Sequence, residues 1–162
     1  MCSYCGCEGV PAIADLKAEH ESLVDQASHV RVALRSADLA TAMLLVTRLV
    51  GHLTSHVGRE EDGIFRALRE TGEYLEEVDG LENEHRGLEA AIAGLDVTSP
   101  DFSARVGLLL DNLDLHVQRE ELGIFPASVV TLGAKGWNTV DEAHHRTPSF
   151  LQDVRGVTDP RE

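Results

Sequence analysis

The sequence has few aromatic residues and few basic ones. Phe, Trp and Tyr make up 4% of the chain, whereas Ala and Leu are abundant. Aromatic side chains favour strands and Ala and Leu favour helices, so this composition favours an all-α fold. Lys and Arg number 14 against 28 Asp and Glu, which gives a formal net charge of -14. Nucleic acids and anionic membranes require clustered Lys and Arg, so neither is expected as a partner.

Long apolar stretches are also missing. No stretch approaches the roughly 20 apolar residues that are needed to span a bilayer. The first ten residues, MCSYCGCEGV, have neither the basic region nor the apolar core of a signal peptide. The expected location is therefore the cytoplasm. The length of 162 residues predicts one domain with a sizeable core.

Cysteine is confined to the start of the chain, at Cys2, Cys5 and Cys7. Three cysteines within one short segment do not form a disulfide framework for a domain. The CxxCxC spacing is compatible with a soft metal or part of an iron–sulfur cluster, with a redox pair, or with an oxidisable tip that has no further role. The role of these thiols stays open.

The most informative feature is an internal repeat. HVGREEDGIF (residues 56–65) recurs as HVQREELGIF (residues 116–125), at an offset of 60. A shorter match lies upstream of each copy, where residues 18–23 and 83–88 share Glu-His and a Leu three residues later. The order EH, HxxxEE, EH, HxxxEE indicates two copies of one helical hairpin.

Apolar residues at a spacing of three to four predict helices throughout. Pro11 and Pro100 suit first helical turns, whereas Gly72 and Pro126 suit helix ends. We predict an antiparallel up-down-up-down four-helix bundle with a short C-terminal extra helix. The expected helices cover residues 11–35, 39–69, 74–93, 101–125 and, for the short one, 139–145. The expected division is a Cys-rich tip (1–10), the bundle (11–130) and a C-terminal extension (131–162).

The HxxxE spacing points to metal chemistry. Residues four apart lie on one helix face, so His56 and Glu60 project together, as do His116 and Glu120. Imidazole with carboxylate and without thiolate suits iron, manganese or zinc, and two bridging carboxylates fit a dinuclear centre. With one His from each remaining helix, the predicted ligands are His20, His56, Glu60, His85, His116 and Glu120.

A bundle without a site is the alternative, because a single His on an apolar face is usually a core or surface residue. The duplicated arrangement, with one such His on each helix, favours the metal centre. A carboxylate on an inward face is also costly unless it is paired or bound to a cation.

The order EH … HxxxEE … EH … HxxxEE-x-x-IFP resembles the hemerythrin/HHE cation-binding family over residues 11–127. The resemblance implies a four-helix bundle with a non-haem diiron centre that is bridged by two carboxylates and an oxo or hydroxo group. It also implies that the six residues named above are the iron ligands. The sequence looks like a bacterial hemerythrin-like protein.

Two departures from the oxygen-carrying members of that family bear on function. Those carriers have two His four residues apart on the third helix, whereas here Leu81 and Glu89 flank His85. Either one iron lacks a ligand, or Glu89 supplies a carboxylate. The carriers also place the last carboxylate five residues after the His, at Glu121 here, whereas the internal repeat favours Glu120.

Other residues near the motifs are either undecided candidates for the metal site or are expected to have purely structural roles. His52 is a candidate ligand or orienting residue, although its repeat partner is Asn112. His144 and His145 are expected to be exposed, or else to fold back over the open end of the bundle. The expected surface charges are Glu19, Glu84 and His29, the expected partners of neighbouring acids are Arg59 and Arg119, and the expected core residues are Ile64, Phe65, Ile124 and Phe125.

Three functions are compatible with such a centre. The first is binding or sensing of O2, NO, redox state or iron state at an open diiron site. The second is an enzyme that decomposes peroxide in a catalase-like reaction or processes nitric oxide, and the third is iron buffering. The missing third-helix His argues against a simple carrier and favours the sensor or the enzyme. The physiological ligand, protein partners and oligomeric state are not indicated.

Overall fold

A computed structural model describes residues 9–152, so Cys2, Cys5 and Cys7 lie outside the described residues. No strand occurs between residues 9 and 152. The elements are α1 (Pro11–Arg35), α2 (Leu39–Glu60), a first π-helical segment (Glu61–Phe65), α3 (Arg66–Thr71), α4 (Leu75–Ala93), α5 (Phe102–Arg119), a second π-helical segment (Glu120–Ile124), α6 (Phe125–Thr131) and α7 (Ala134–Arg146).

The local signals for helix ends largely act as expected. Pro11 occupies the first turn of α1. The Asp38 side chain caps α2 by accepting a hydrogen bond of 3.0 Å from the backbone N–H of Thr41. Gly72 ends α3 with φ of 80°, a left-handed conformation that favours glycine. The α5 helix begins at Phe102, one residue later than predicted. Pro100 therefore precedes the helix, and the expectation that it lies in the first helical turn is wrong.

Two π-helical segments interrupt the second and fourth long helices, at equivalent positions of the repeat. A π turn holds one more residue than an α turn, so it shifts the register of the side chains that follow. The fourth helix was predicted to end at Phe125, but it continues through Pro126 to Thr131. Pro126 lies directly after the π segment, so the proline follows a point where the hydrogen-bond register of the helix has already changed.

The helices pack into a helical bundle with two apolar clusters. α1 packs along α2, α4 packs along α5, and α1 also contacts α5. One cluster contains Leu16 and Ile64, and the other contains Leu23 and Leu53. Along α1, His20 lies between Leu16 and Leu23, so a polar layer separates the two clusters. Within residues 9–152, no helix is both long and apolar enough to traverse a bilayer.

The C-terminal helix α7 covers one repeat and leaves the other uncovered. It is longer than predicted, packs on the first π segment and α3, and buries Val140 and Ala143. A Cβ at Gly63 would lie 3.7 Å from the Ala143 Cβ, whereas a Cβ at the equivalent Gly123 would meet nothing within 4 Å. A side chain larger than a methyl group at position 63 would therefore meet α7, whereas one at position 123 would not. The proposed domain boundaries at residues 10 and 130 stay predictions.

The pair of glycines gives a matched test of this packing. We expect Gly63→Leu to lower the free energy of unfolding by about 1–3 kcal/mol, because the side chain must displace α7. Gly123→Leu is expected to leave it unchanged or raise it by up to about 1 kcal/mol, because Leu favours helix and meets open space. Urea unfolding of the two variants measures the difference. Equal effects at both positions would contradict the role of Gly63.

Candidate metal centre

Six buried side chains converge in the polar layer between the two apolar clusters. Each of the six is at most 3% exposed. Their ligand atoms form two groups, and within each group all the atoms lie within 4.8 Å of one another. The first group is His20, His56, Glu60 and Glu120, and the second is His85, His116, Glu60 and Glu120.

The two glutamates lie between the two pairs of imidazoles. Glu60 lies 3.2 Å from His56 Nε2 and 3.5 Å from His85 Nε2. Glu120 lies 3.1 Å from His116 Nε2 and 3.1 Å from His20 Nε2. Each carboxylate therefore contacts imidazoles of both groups, which is the arrangement that two bridging carboxylates require. The two groups share their glutamates and differ in their imidazoles.

Each imidazole is held from behind by a further carboxylate. Nδ1 lies 2.7–3.0 Å from a glutamate oxygen in all four cases. An Nδ1–H that donates to a carboxylate fixes the ring and leaves the Nε2 lone pair directed at the centre. The four pairs are His20 with Glu121, His56 with Glu19, His85 with Glu61 and His116 with Glu84.

The expectation that Glu19 and Glu84 are surface charges is wrong. Glu19 is fully buried and Glu84 is partly buried, and each binds an imidazole of the neighbouring helix. The residue before a ligand His lies about 100° around the helix, and in this bundle that direction faces the next helix rather than solvent. The signal was present, since the Glu before each His recurs in both copies. Glu121, the alternative to Glu120, lies behind His20 instead.

Glu19 and Glu84 each also bind an arginine, as expected for Arg59 and Arg119, but the two ion pairs have different surroundings. Arg59 donates a hydrogen bond of 2.6 Å to Glu19 and another of 2.9 Å to His144 Nδ1. Arg119 forms the equivalent ion pair with Glu84. The Arg59 side chain is 2% exposed and the Arg119 side chain is 57% exposed. The first pair is therefore part of the interior and the second belongs to the surface.

The remaining candidates lie outside the two groups. His52 donates to Gln26 at 2.9 Å and stacks on Phe150. Glu89 is exposed. His145 donates to the carbonyl of Asp141. His29 is exposed, as expected, and all four predicted core residues are buried: Ile64, Phe65, Ile124 and Phe125.

The charges of the centre shift its protonation strongly. Burial alone lowers the pKa of His20, but the nearby carboxylates of Glu120, Glu121 and Glu60 raise it well above its usual value. Burial likewise raises the pKa of Glu60, whereas His56, His20 and His85 bring it well below its usual value. The protein alone therefore balances ionised carboxylates with protons on imidazoles, and a cation would replace those protons.

The donor atoms fit a metal. His20 Nε2, His56 Nε2 and both oxygens of Glu60 and Glu120 are buried without a hydrogen-bond partner among the described residues. Buried polar atoms are rarely left in this state, and ionised ones are costly unless a counter-charge is bound. Imidazole nitrogen and carboxylate oxygen together suit iron, manganese or zinc. The site therefore has the donor atoms of a cation-binding centre, and those atoms have no other hydrogen-bond partner among the described residues.

A family comparison supports this chemistry. The model of the hemerythrin HHE cation binding domain matches residues 12–128. The chain belongs to this hemerythrin family. Membership shows a metal-binding, hemerythrin-like protein, and the buried His and Glu groups are where a metal could be held. No curated protein and no solved structure matches the chain.

The outer carboxylates should contribute to metal affinity in both repeats. Glu19→Gln and Glu84→Gln are each expected to weaken metal binding by about tenfold or more, because each removes the charge that orients a ligand imidazole. Only Glu19→Gln is expected to reduce stability as well, by about 3 kcal/mol, because it removes the buried carboxylate that pairs with the buried Arg59. Metal titration and urea unfolding measure the two effects. Glu21→Gln, at an exposed position, is the control.

The His144 side chain should make stability depend on pH. Burial and the charge of Arg59 lower the pKa of His144 to about 4. The unfolded chain takes up this proton near its ordinary pKa of 6.5 and the folded chain does not, so stability should fall as pH decreases from about 6.5 to about 4.

The expected loss is about 1–2 kcal/mol, because solvent reaches part of the ring and screens the shift. His144→Gln keeps an acceptor for Arg59 and cannot titrate. The variant should therefore lose less stability than the parent chain between pH 7 and pH 5 in urea unfolding. Identical losses of stability in the variant and the parent chain would show that His144 does not cause the pH dependence.

Proposed function

We propose that this protein holds two iron ions and uses them to bind or sense a small molecule such as O2 or NO. The proposal rests mainly on the two groups of donor atoms that share Glu60 and Glu120. Each repeat contributes two imidazoles and one carboxylate, so the two metal positions receive matched protein ligands. The proposed ligands are His20, His56, Glu60, His85, His116 and Glu120.

The frame that we propose for this centre is an antiparallel up-down-up-down four-helix bundle. Its four members are α1, the α2–π–α3 helix, α4 and the α5–π–α6 helix, with α7 added outside. Packing of α1 along α2 and of α4 along α5 supports two helical hairpins. Short connections between long helices favour antiparallel neighbours.

The protein side chains determine what such a centre can do. A pair of iron ions held by these residues would supply binding of diatomic molecules and one-electron redox chemistry. The outer carboxylates fix the four imidazoles, and the two apolar clusters exclude bulk water. All four outer carboxylates bind an imidazole, so none is free to act as a dedicated general acid. This arrangement favours binding or sensing over chemistry on larger substrates.

A second candidate is decomposition of peroxide or processing of nitric oxide. The composition of α4 favours it, because His85 is the one residue of this helix that belongs to either group of donor atoms. Neither Leu81 nor Glu89, four residues before and after His85, belongs to a group. Each metal would then receive two imidazoles and the shared carboxylates, which leaves room for an exogenous ligand.

Metal analysis of the purified full-length chain tests the proposal. We expect two irons per chain, and we expect Glu60→Ala or Glu120→Ala to abolish loading of the pair, because each removes a shared ligand. Glu70→Ala, outside the centre, is expected to keep both irons and serves as the control. One zinc per chain, or retention of two metals in both variants, would contradict the assignment.

A further inference from the structure

An apolar stripe lies on the outer face of the α5–π–α6 helix. Five large apolar side chains between residues 9 and 152 are at least half exposed, and four of them belong to this helix. We call these four the outer stripe: Leu108, Leu115, Leu122 and Val130. A spacing of seven residues is close to two α turns, so the three leucines share one face. Val130 follows after eight residues, because the π segment adds one residue to a turn.

The first repeat shows that the fold does not require apolar residues at these positions. Its equivalent residues, at the offset of 60, are all polar: Arg48, Ser55, Asp62 and Glu70. Ser55 is partly exposed and the other three are exposed. The same helical frame therefore carries polar side chains there, so packing within the chain does not explain the outer stripe. A continuous exposed apolar surface is typical of an interaction site.

The groove beside the outer stripe has room for the side chains of a partner. Two cavities of about 410 and 300 Å³ lie between α4 and the α5–π–α6 helix. Gly80 and Gly123 line the larger one, and Gly87 and Leu115 line the smaller one. A Cβ at any of these three glycines would meet nothing within 4 Å. A helix that docks on the stripe can therefore place side chains in this groove.

The exposed residues around Leu115 are arranged symmetrically along the helix. Two leucines lie seven residues before and after it, two opposite charges lie four residues away, and two amides lie three residues away. The pairs are Leu108 with Leu122, Asp111 with Arg119, and Asn112 with Gln118. A two-fold axis at Leu115 would bring leucine to leucine, amide to amide and acid to base. The surface is therefore complementary to itself, as a symmetric dimer requires.

The charges select the antiparallel orientation. When two copies of α5 pair antiparallel at Leu115, each Asp111 lies level with the partner's Arg119. Parallel pairing brings each of these residues level with its own copy, and like charges at close range are costly. α5 carries two Arg and two Asp, so its formal net charge is zero in a chain with a net charge of -14. A second copy, which the same negative charge repels elsewhere, can therefore approach at this helix.

We infer that a second copy of this chain docks on the outer stripe, so that two α5 helices pair antiparallel about a two-fold axis at Leu115. Leu115 then packs on Leu115, and Leu108 of each copy packs on Leu122 of the other. The contact is one helix wide and about 33 Å long, which is smaller than a standard interface of about 800 Å² per partner. We therefore expect a reversible dimer with a Kd of about 1–100 μM. The proposed metal centre does not require this pairing, so the inference goes beyond the proposed function.

Sedimentation equilibrium of the full-length chain tests the pairing. We expect the mean mass to rise from monomer to dimer between about 1 and 100 μM. Leu115→Glu places two carboxylates at the axis and should raise the Kd by about a hundredfold or more, because like charges then face each other. Leu122→Glu should weaken the dimer in the same direction. Leu44→Glu is the matched control and should keep the Kd of the parent chain, because Leu44 is 74% exposed like Leu122 but lies on α2.

Circular dichroism checks that each variant keeps its helical fold, and Leu122→Glu decides the outcome if Leu115→Glu does not fold. A monomer at every concentration would overturn the inference and leave the outer stripe to another protein or to residues 1–8 of the same chain. A dimer that neither variant weakens would place the interface elsewhere. Equal weakening by Leu44→Glu would also overturn the inference, because the effect would then come from net charge.

Disulfide trapping tests the orientation, because a disulfide requires Cα atoms within about 7 Å of each other. On oxidation with diamide, Leu115→Cys should link to itself, and Leu108→Cys should link to Leu122→Cys when the two variants are mixed. Mass spectrometry of the linked peptides identifies these bonds beside the native cysteines. Self-linking of Leu108→Cys and of Leu122→Cys without mixed linking would show a parallel pair and overturn the inference. A monomer that holds two irons contradicts this inference alone, whereas a dimer without metal contradicts the proposed function alone.

Discussion

The structure depends on the neutralisation of two carboxylates, Glu60 and Glu120, inside an apolar helical interior. An ionised carboxylate in such surroundings costs several kcal/mol unless opposite charge and hydrogen bonds compensate it. Four imidazoles provide that compensation, and four outer glutamates hold the imidazoles. The network therefore extends from the central glutamates through the imidazoles to the outer glutamates. Each set compensates the buried charge or polar atoms of the set inside it.

The central residues could be predicted from sequence because the helix itself brings them together. HxxxE places His and Glu on one face, and the repeat identifies the remaining two His. The roles of Glu19 and Glu84 were missed because they depend on which helix lies beside them. The π segments were missed because periodicity assumes a constant number of residues per turn.

The neighbouring elements, more than the ten-residue motif itself, determine how exposed the residues of each copy are. Arg59 and Arg119 occupy the same position of the same ten-residue pattern, yet one is enclosed by α7 and the other faces solvent. The family match ends at residue 128, so the helix that makes this difference lies outside the matched region. The repeat alone predicts two equal halves, and α7 makes their surroundings unequal.

The four outer hydrogen bonds also imply an order of assembly. His56–Glu19 and His116–Glu84 each join two helices of one repeat, so they can form as that repeat folds. The bonds of His20 to Glu121 and of His85 to Glu61 connect different repeats, so they form only when the two repeats pack together. A cation at the shared glutamates would likewise bind only the packed pair. Its removal should therefore loosen the interface between the repeats before it affects the fold of either one.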